Sequence, residues 1–217
     1  SFSLLNLIKR TIQKNYFTID EVIFHHDIYQ NVEVHSSMSQ LSAQELLQKL
    51  NQTIDSFYEQ LRLGSHLFIT LGTSWVYQEL ASGNIVANCH KIPQNKFEKK
   101  LISTLENYDC LDQMVQILTE FNPKLAIIFT VSPVRHLKDG MIENQVSKSN
   151  LISAVYQILQ KNKEINYFPS YELVMDDLRD YRFFTADLLH PNELAIQYIW
   201  EKLTQSFCSE NTIKLMK

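Results

Sequence analysis

Apolar residues recur along this chain with two periods, and these periods predict alternating helices and strands. Residues 2–14 and 43–62 carry apolar side chains at the spacing of one helical face. Two short runs, residues 66–71 and 125–131, are apolar almost throughout, and each ends at a glycine or a Ser-Pro pair. Such runs are typical of strands that are buried on both faces. The pattern therefore indicates a parallel sheet covered by helices.

The other elements are shorter or less regular. The pattern predicts two short strands or an irregular excursion within 21–35, strands around 76–80, 85–88 and 166–168, and helices over 109–121, 148–161, 171–179 and from Pro191 to about Phe207. The longest basic cluster, Lys96–Lys100, is short and contains an acid, and we interpret it as a solvated helix face.

Alternating helices and strands are typical of a doubly wound parallel sheet. Because no repeat, low-complexity tract or linker divides the chain, we expect residues 1–217 to form a single domain. Ligands of such folds bind at the carboxyl ends of the strands. In this chain a helix precedes the first strand, so we expect the usual first strand to be missing from these residues.

Composition excludes several classes of protein. The chain has 20 basic and 24 acidic residues, a net charge of -4 and no basic run, which argues against a nucleic-acid partner. No apolar run approaches the ~20 residues that span a bilayer. The three cysteines lack the CxxC spacing, so neither a disulfide framework nor a thiolate zinc site is expected. We interpret this as favouring a reducing, cytoplasmic compartment.

The chain offers little that could hold a cofactor or a metal. Its four glycines form neither GxGxxG nor GxxxxGK[ST], so a nucleotide- or flavin-binding protein is disfavoured and no cofactor is expected. The cluster His25, His26, Asp27 and His35 matches no standard ligand spacing. We therefore expect these residues to be polar loop residues and expect no metal site.

The segment from Asp187 to Pro191 carries the strongest chemical signal. Proline is favoured at the first position of a helix, which predicts that His190 lies at or near the N-cap of the last helix. Three residues earlier, the carboxylate of Asp187 can reach the Nδ1–H of His190 and stabilise the imidazolium that forms when Nε2 takes a proton. The alternative is an ordinary capping pair without catalytic chemistry.

Two further loops should lie at the same edge of the sheet. One contains Gly72 and Thr73, and the other contains Arg135 and His136; each follows a predicted strand. Arg135 could bind a substrate carboxylate in bidentate fashion, or it could pair with an acid, which would be Asp139 or Asp180. We expect His136, and His90 in another loop, either to contact substrate or to make structural hydrogen bonds.

Several segments together resemble the GSCFA-domain family, a branch of the SGNH/GDSL esterase and lipase superfamily. The resemblance covers about residues 23–203 and is carried by FITLGTSWVY, ANCHK, FTVSPVRHLKDG, YFPSYELVMDDLRDYRFF and ADLLHPNELAIQYIWEKL. It implies a flavodoxin-like α/β/α sandwich in which Asp187 and His190 are the catalytic acid and base. The oxyanion asparagine of the superfamily is absent after Gly72, so Asn88 is our candidate substitute, with the Gly72–Thr73 backbone second. Asn88 could instead be a turn residue.

The nucleophile is the main departure from the family pattern. The family has the serine of a Gly-Ser-Cys-Phe-Ala motif after its first strand, and no such motif occurs in these residues. We expect that serine upstream of Ser1. Ser74 and Ser132 are weaker alternatives, since neither has an elbow signature, and we expect Cys89 to be a buried structural cysteine.

Two functions follow from these observations. The first is a serine esterase that acts on an acyl or acetyl ester, of a small molecule or a carbohydrate, through Asp187 and His190. The second is a non-catalytic ligand-binding domain that keeps the fold and has no nucleophile. The sequence gives neither the substrate nor the oligomeric state.

Overall fold

We describe residues 1–216 from a computed structural model. The helices are α1 (Phe2–Ile12), α2 (Ala43–Leu63), α3 (Thr104–Phe121), α4 (Met141–Lys161), α5 (Ser170–Glu172, continued by a π-helical turn over Leu173–Asp177), α6 (Glu193–Phe207) and α7 (Glu210–Leu215). The strands are β1 (Ile23–His25), β2 (Ile28–Gln30), β3 (His66–Leu71), β4 (Trp75–Glu79), β5 (Ile85–Val86), β6 (Phe97–Leu101), β7 (Ala126–Val131) and β8 (Asn166–Tyr167).

A small parallel sheet lies at the centre, with its strands in the order β3, β7, β8. All six residues of β3 pair in register with β7, from His66 opposite Ala126 to Leu71 opposite Val131. Strand β7 is the most buried, because the helices on one side and β3 and β8 along its edges leave it little contact with solvent. The mixed α/β class and the parallel sheet predicted from the apolar runs are confirmed.

The two faces of β3 differ sharply. Ile69 and Leu71 point into the main core, which also contains side chains from α1, α3 and α4. On the opposite face His66, Phe68 and Thr70 are exposed. Helices α6 and α7 partly cover that face, and Phe207 at the end of α6 lies edge-on to Phe68. Within residues 1–216, no strand pairs with the outer edge of β3.

The segment predicted to be a basic helix face is a strand, and that prediction was wrong. Phe97–Leu101 pairs antiparallel with β4 along five residues, and β4 also pairs with β5. Phe97 is buried while Glu98, Lys99 and Lys100 are exposed. The charges misled the prediction because an edge strand with one solvated side also accumulates lysine.

The predicted starts of two helices were also wrong. Helix α3 begins at Thr104 because Ser103 and Glu106 form a capping box. Helix α4 begins at Met141, seven residues before the predicted start. Helix α6 begins at Glu193, two residues after the predicted start, with Asn192 as its N-cap and Pro191 bridged to Phe184, so His190 lies near the N-cap, as predicted.

Candidate functional site

A short closed loop carries Asp187 and His190. The N–H of Thr185 donates to the carbonyl oxygen of His190 at 2.8 Å, and the N–H of Leu188 donates to the carbonyl oxygen of Thr185 at 2.9 Å. Leu188 has a φ of 59°, in the left-handed region that side chains disfavour. These hydrogen bonds close the loop on itself and fix its conformation before α6 begins.

The carboxylate of Asp187 is held by four donors. Oδ1 accepts from the Thr185 hydroxyl at 2.6 Å and from the N–H groups of Leu189 and His190 at 2.8 and 3.0 Å. Oδ2 lies 2.6 Å from Nδ1 of His190. The Thr185 hydroxyl, then the two N–H groups and the imidazole, hold the pKa of Asp187 well below its usual range. The carboxylate is therefore ionised at neutral pH.

The geometry also determines the tautomer of His190. An ionised carboxylate only accepts hydrogen bonds, so Nδ1 of His190 donates to Asp187, and the lone pair of the neutral ring lies on Nε2. Nε2 has no hydrogen-bond partner within residues 1–216, and 58% of the His190 side chain is exposed. The ring can therefore accept a proton from a group that approaches from solvent, with Asp187 stabilising the resulting charge.

Arg135 joins this loop to the end of β7. Its Nη2 donates to the carbonyl oxygen of Leu188 at 2.9 Å, and its guanidinium lies 5.1 Å from the centre of the Phe184 ring. The alternative in which Arg135 pairs with an acid was wrong, because Asp139 pairs with Lys99 and Asp180 with Arg182, and binding of a substrate carboxylate stays a prediction. Arg135 thus holds the backbone of the loop that carries the acid–base pair.

A buried lysine that the sequence analysis missed organises the loop after β3. Nζ of Lys148 donates to the carbonyl oxygens of Gly72 and Ser132, each at 2.6 Å. Lys148 is completely buried, and desolvation lowers its pKa to about 8. Gly72 and Ser132 each follow the last residue of a parallel strand, so this one side chain ties the carboxyl ends of β3 and β7 together.

His136 lies next to Gly72. A Cβ atom added to Gly72 would lie 3.8 Å from Nε2 of His136. Burial and the charge of Lys148 lower the pKa of His136. The structure therefore brings Gly72, Thr73, Arg135 and His136 to the carboxyl edge of the sheet, as predicted for the two loops.

A comparison with known protein families shows which family this chain belongs to. The model of the GSCFA family matches residues 1–203. The chain belongs to the GSCFA family. Searches among curated proteins and among solved structures found no match.

Asn88 and His90 lie in a different part of this GSCFA domain. The backbone N–H of Asn88 bonds to Val32, and Nε2 of His90 lies 2.7 Å from the carbonyl oxygen of Asn31. Together with the β1–β2 hairpin they line a cavity of about 530 Å³. None of their hydrogen bonds reaches the Asp187 loop, so the structure supports the turn-residue alternative for Asn88, whose side chain accepts from the N–H of His90.

The surroundings of the alternative nucleophiles in the GSCFA domain do not favour a nucleophilic role. Ser74 is buried, with its hydroxyl donating to the carbonyl oxygen of Ser147 at 2.8 Å and accepting from Asn107. The Ser132 hydroxyl accepts from the N–H of Val134 at 3.3 Å. Burial raises the pKa of Cys89, which disfavours the reactive thiolate.

The described residues form neither a metal-binding cluster nor a membrane-spanning helix. Among residues 1–216 no three His, Cys, Asp or Glu side chains lie close enough together to hold a metal ion. In the same residues no helix combines the length and the apolar character that crossing a bilayer requires.

Proposed function

We propose that this GSCFA domain carries the acid–base pair of an SGNH-type serine esterase. His190 is the general base and general acid, and Asp187 orients and stabilises it. One observation carries the proposal: Asp187 Oδ2 lies 2.6 Å from Nδ1 of His190, while Nε2 is unpartnered within residues 1–216 and faces solvent. This is the arrangement that general-base activation of a hydroxyl requires.

The reaction is acyl transfer through a covalent intermediate. As the serine oxygen attacks the ester carbonyl carbon, its proton passes to Nε2 of His190, and the charge of Asp187 stabilises the imidazolium. The tetrahedral intermediate collapses, the C–O bond to the alcohol breaks, and His190 returns the proton to the leaving oxygen. Water, deprotonated by His190, then attacks the acyl-enzyme, which releases the acid and regenerates the serine.

We propose that the nucleophilic serine belongs to a strand that precedes α1 and pairs with the outer edge of β3. That edge is unpartnered in residues 1–216, and Phe68, Trp200 and Phe207 line an apolar groove of about 720 Å³ on one face of the sheet. The start of α1 lies near the carboxyl end of β3. The Ser1 hydroxyl donates to Asn107, which in turn donates to the hydroxyl of Ser74 in the loop that follows β3. A strand added there would extend the sheet towards a flavodoxin-like sandwich.

The substrate we propose is an acyl or acetyl ester of a small molecule or a carbohydrate. The exposed Nε2 of His190 and its open surroundings suit an ester that arrives from solution. The family resemblance supplies the reaction class, and the exposed acid–base pair is compatible with a range of alcohol leaving groups.

The test compares two forms of the protein in turnover of p-nitrophenyl acetate. One form starts at Ser1, and the other includes the residues that its gene encodes upstream. We expect turnover from the longer form, and we expect the His190→Ala variant of that form to lose nearly all of it. His35→Ala is the matched control, because His35 is an exposed loop histidine bonded only to nearby Ser37. Equal rates for the longer form and its His190→Ala variant would contradict the assignment.

The alternative is a ligand-binding domain without catalytic activity. It is favoured by the observation that no serine hydroxyl within residues 1–216 is bonded to Nε2 of His190. A fluorophosphonate probe distinguishes the two functions, because it labels only an activated serine. Labelling of the longer form that requires His190 supports the esterase, whereas unlabelled protein in both forms supports the binding domain.

A further inference from the structure

The loop after β3 leaves two consecutive N–H groups free. Within this loop the N–H of Ser74 donates to the hydroxyl of Ser147 at 2.7 Å, and that of Trp75 donates to the hydroxyl of Thr73 at 3.1 Å. The N–H groups of Gly72 and Thr73 have no acceptor within residues 1–216. Both residues are partly exposed, so an acceptor from outside the chain can reach these two adjacent free donors at the edge of the sheet.

The direction of both free N–H groups follows from the carbonyl groups in the same peptide units. The carbonyl oxygen of Leu71 accepts from the N–H of Ser132 at 2.9 Å, and that of Gly72 accepts from Nζ of Lys148. Both peptide bonds are trans, so the N–H of each unit points opposite to its carbonyl. The N–H of Gly72 therefore points away from β7, towards the unpartnered edge of β3, and the N–H of Thr73 points away from Lys148 of α4.

Two neighbouring residues of α4 hold this conformation. Lys148 fixes the carbonyl of Gly72, and the hydroxyl of Ser147 bonds to both the N–H of Ser74 and the hydroxyl of Thr73, the latter at 2.9 Å. Burying an ammonium group is costly unless it is well hydrogen-bonded. A completely buried lysine whose hydrogen bonds go to two loop carbonyls is therefore placed to fix that loop.

We propose that Ser147 and Lys148 are positioning residues that aim the N–H groups of Gly72 and Thr73 at the oxyanion of the tetrahedral intermediate. The inference rests on the proposed esterase function and assigns its oxyanion donors. Two fixed backbone donors stabilise the negative oxygen as it forms, without reorganisation during the reaction. In this assignment the backbone of the Gly72 loop, and not the side chain of Asn88, supplies the donors.

The first experiment uses the chain from Ser1 and needs no turnover. Acetate, a carboxylate anion that resembles the product, is titrated into 15N-labelled protein while backbone amide shifts are recorded. We expect the amides of Gly72 and Thr73 to shift with acetate concentration, and those of Ser74 and Trp75 to shift much less, because their protons are already donated. Acetate-independent shifts of Gly72 and Thr73 would overturn the inference.

Variants then test the positioning role. Lys148→Met removes the donor to Gly72, and Ser147→Ala removes the acceptor of Ser74; either should abolish the acetate response while the remaining spectrum is kept. Lys161→Met is the matched control, because Lys161 lies on the same helix but is exposed and pairs with Asp112. If Lys148→Met does not fold, the acetate response of Ser147→Ala tests the positioning role by itself. A full acetate response in the folded variants would overturn the inference.

Kinetics of the longer form separate this inference from the esterase proposal. Removal of one oxyanion donor lowers kcat by about 10²–10³-fold in a known serine hydrolase. Because the donors here are misdirected and not deleted, we expect Ser147→Ala to lower kcat by at least about tenfold with KM nearly unchanged. An unchanged kcat in an active enzyme would overturn the positioning role alone, whereas an inactive longer form with a normal acetate response would contradict only the esterase.

Discussion

Nη2 of Arg135 donates to the carbonyl oxygen of Leu188 at 2.9 Å and so links the end of β7 to the loop between Asp187 and His190. Leu188 is held at a φ of 59°, a conformation that costs a residue with a side chain roughly 1–2 kcal/mol. Such backbone persists where surrounding contacts fix it, and strain of this kind is concentrated at functional sites. The link therefore connects the sheet to the geometry of the acid–base pair.

Removing the Arg135 guanidinium should loosen this loop. A hydrogen bond from a charged group contributes roughly 1.5–3 kcal/mol, so in Arg135→Met we expect amide hydrogen exchange across residues 185–190 to be faster by about tenfold or more. Hydrogen exchange measured by NMR checks this. The control is Arg179→Met, since Arg179 is exposed and pairs with Asp176. Unchanged exchange in Arg135→Met would show that the loop does not depend on Arg135.

The hydroxyl of Thr185 makes the largest contribution to the lowered pKa of Asp187. In Thr185→Val we expect that pKa to rise towards its usual range. The stability that ionised Asp187 contributes is lost as pH falls from the unfolded pKa through the folded pKa, so in the variant the loss is smaller and is complete at a higher pH. NMR titration of the Asp187 carboxyl carbon measures the change. Thr185→Ser retains the hydroxyl and should titrate like wild type; a titration of Thr185→Val identical to wild type would contradict the explanation.

Burial of Lys148 makes the stability of the protein depend on pH in the alkaline range. Desolvation lowers its pKa from 10.5 to about 8. Between these values only the unfolded state keeps the proton, so stability rises with pH, by up to about 3 kcal/mol at 1.36 kcal/mol per unit. Urea unfolding measures the unfolding free energy of wild type and of Lys148→Met. Between pH 8 and pH 10.5 we expect this free energy to rise for wild type relative to the variant. A constant difference would contradict a lowered pKa.

The capping box at the start of α3 should contribute measurably to stability. Ser103 Oγ accepts from the N–H of Glu106, and the Glu106 carboxylate accepts from the N–H of Ser103. We expect Ser103→Ala to lower the unfolding free energy by about 1 kcal/mol, a typical N-cap loss. Ser209→Ala, at the cap of the short helix α7, should cost less, because α7 contains no buried residue. Urea unfolding of both variants measures the difference. Equal losses of unfolding free energy would contradict the larger contribution of the α3 cap.

Long, periodic elements were predictable from the chain. Helix α2 and strands β3 and β7 were predicted to within a residue or two at each end, because their apolar spacing expresses one buried face or a fully buried run. Strand β6 was mispredicted because a lysine-rich edge strand and a solvated helix share a composition. The early start of α4 was missed because its first residues, Met141 and Ile142, are exposed and give no periodic signal.

The candidate site was predictable only in part. The pairing of Asp187 with His190 is a contact over three residues, so the spacing showed that the two side chains can meet, while the catalytic role came from the family resemblance. The oxyanion donor was harder to assign, because backbone N–H groups carry no residue signature. Lys148 could have been noticed as a lysine at an inward position of an apolar helix pattern, yet nothing in the sequence names its partners.

By itself, therefore, the sequence determined the class of fold, the family and the local Asp187–His190 pair. Only the tertiary structure decided that Lys148 bonds to Gly72, 76 residues away, and that Arg135 bonds to Leu188, 53 residues away. The physical reason is that local hydrogen bonds depend on neighbouring residue types. Hydrogen bonds to distant backbone carbonyls depend instead on how strands and helices pack, and every residue presents the same carbonyl.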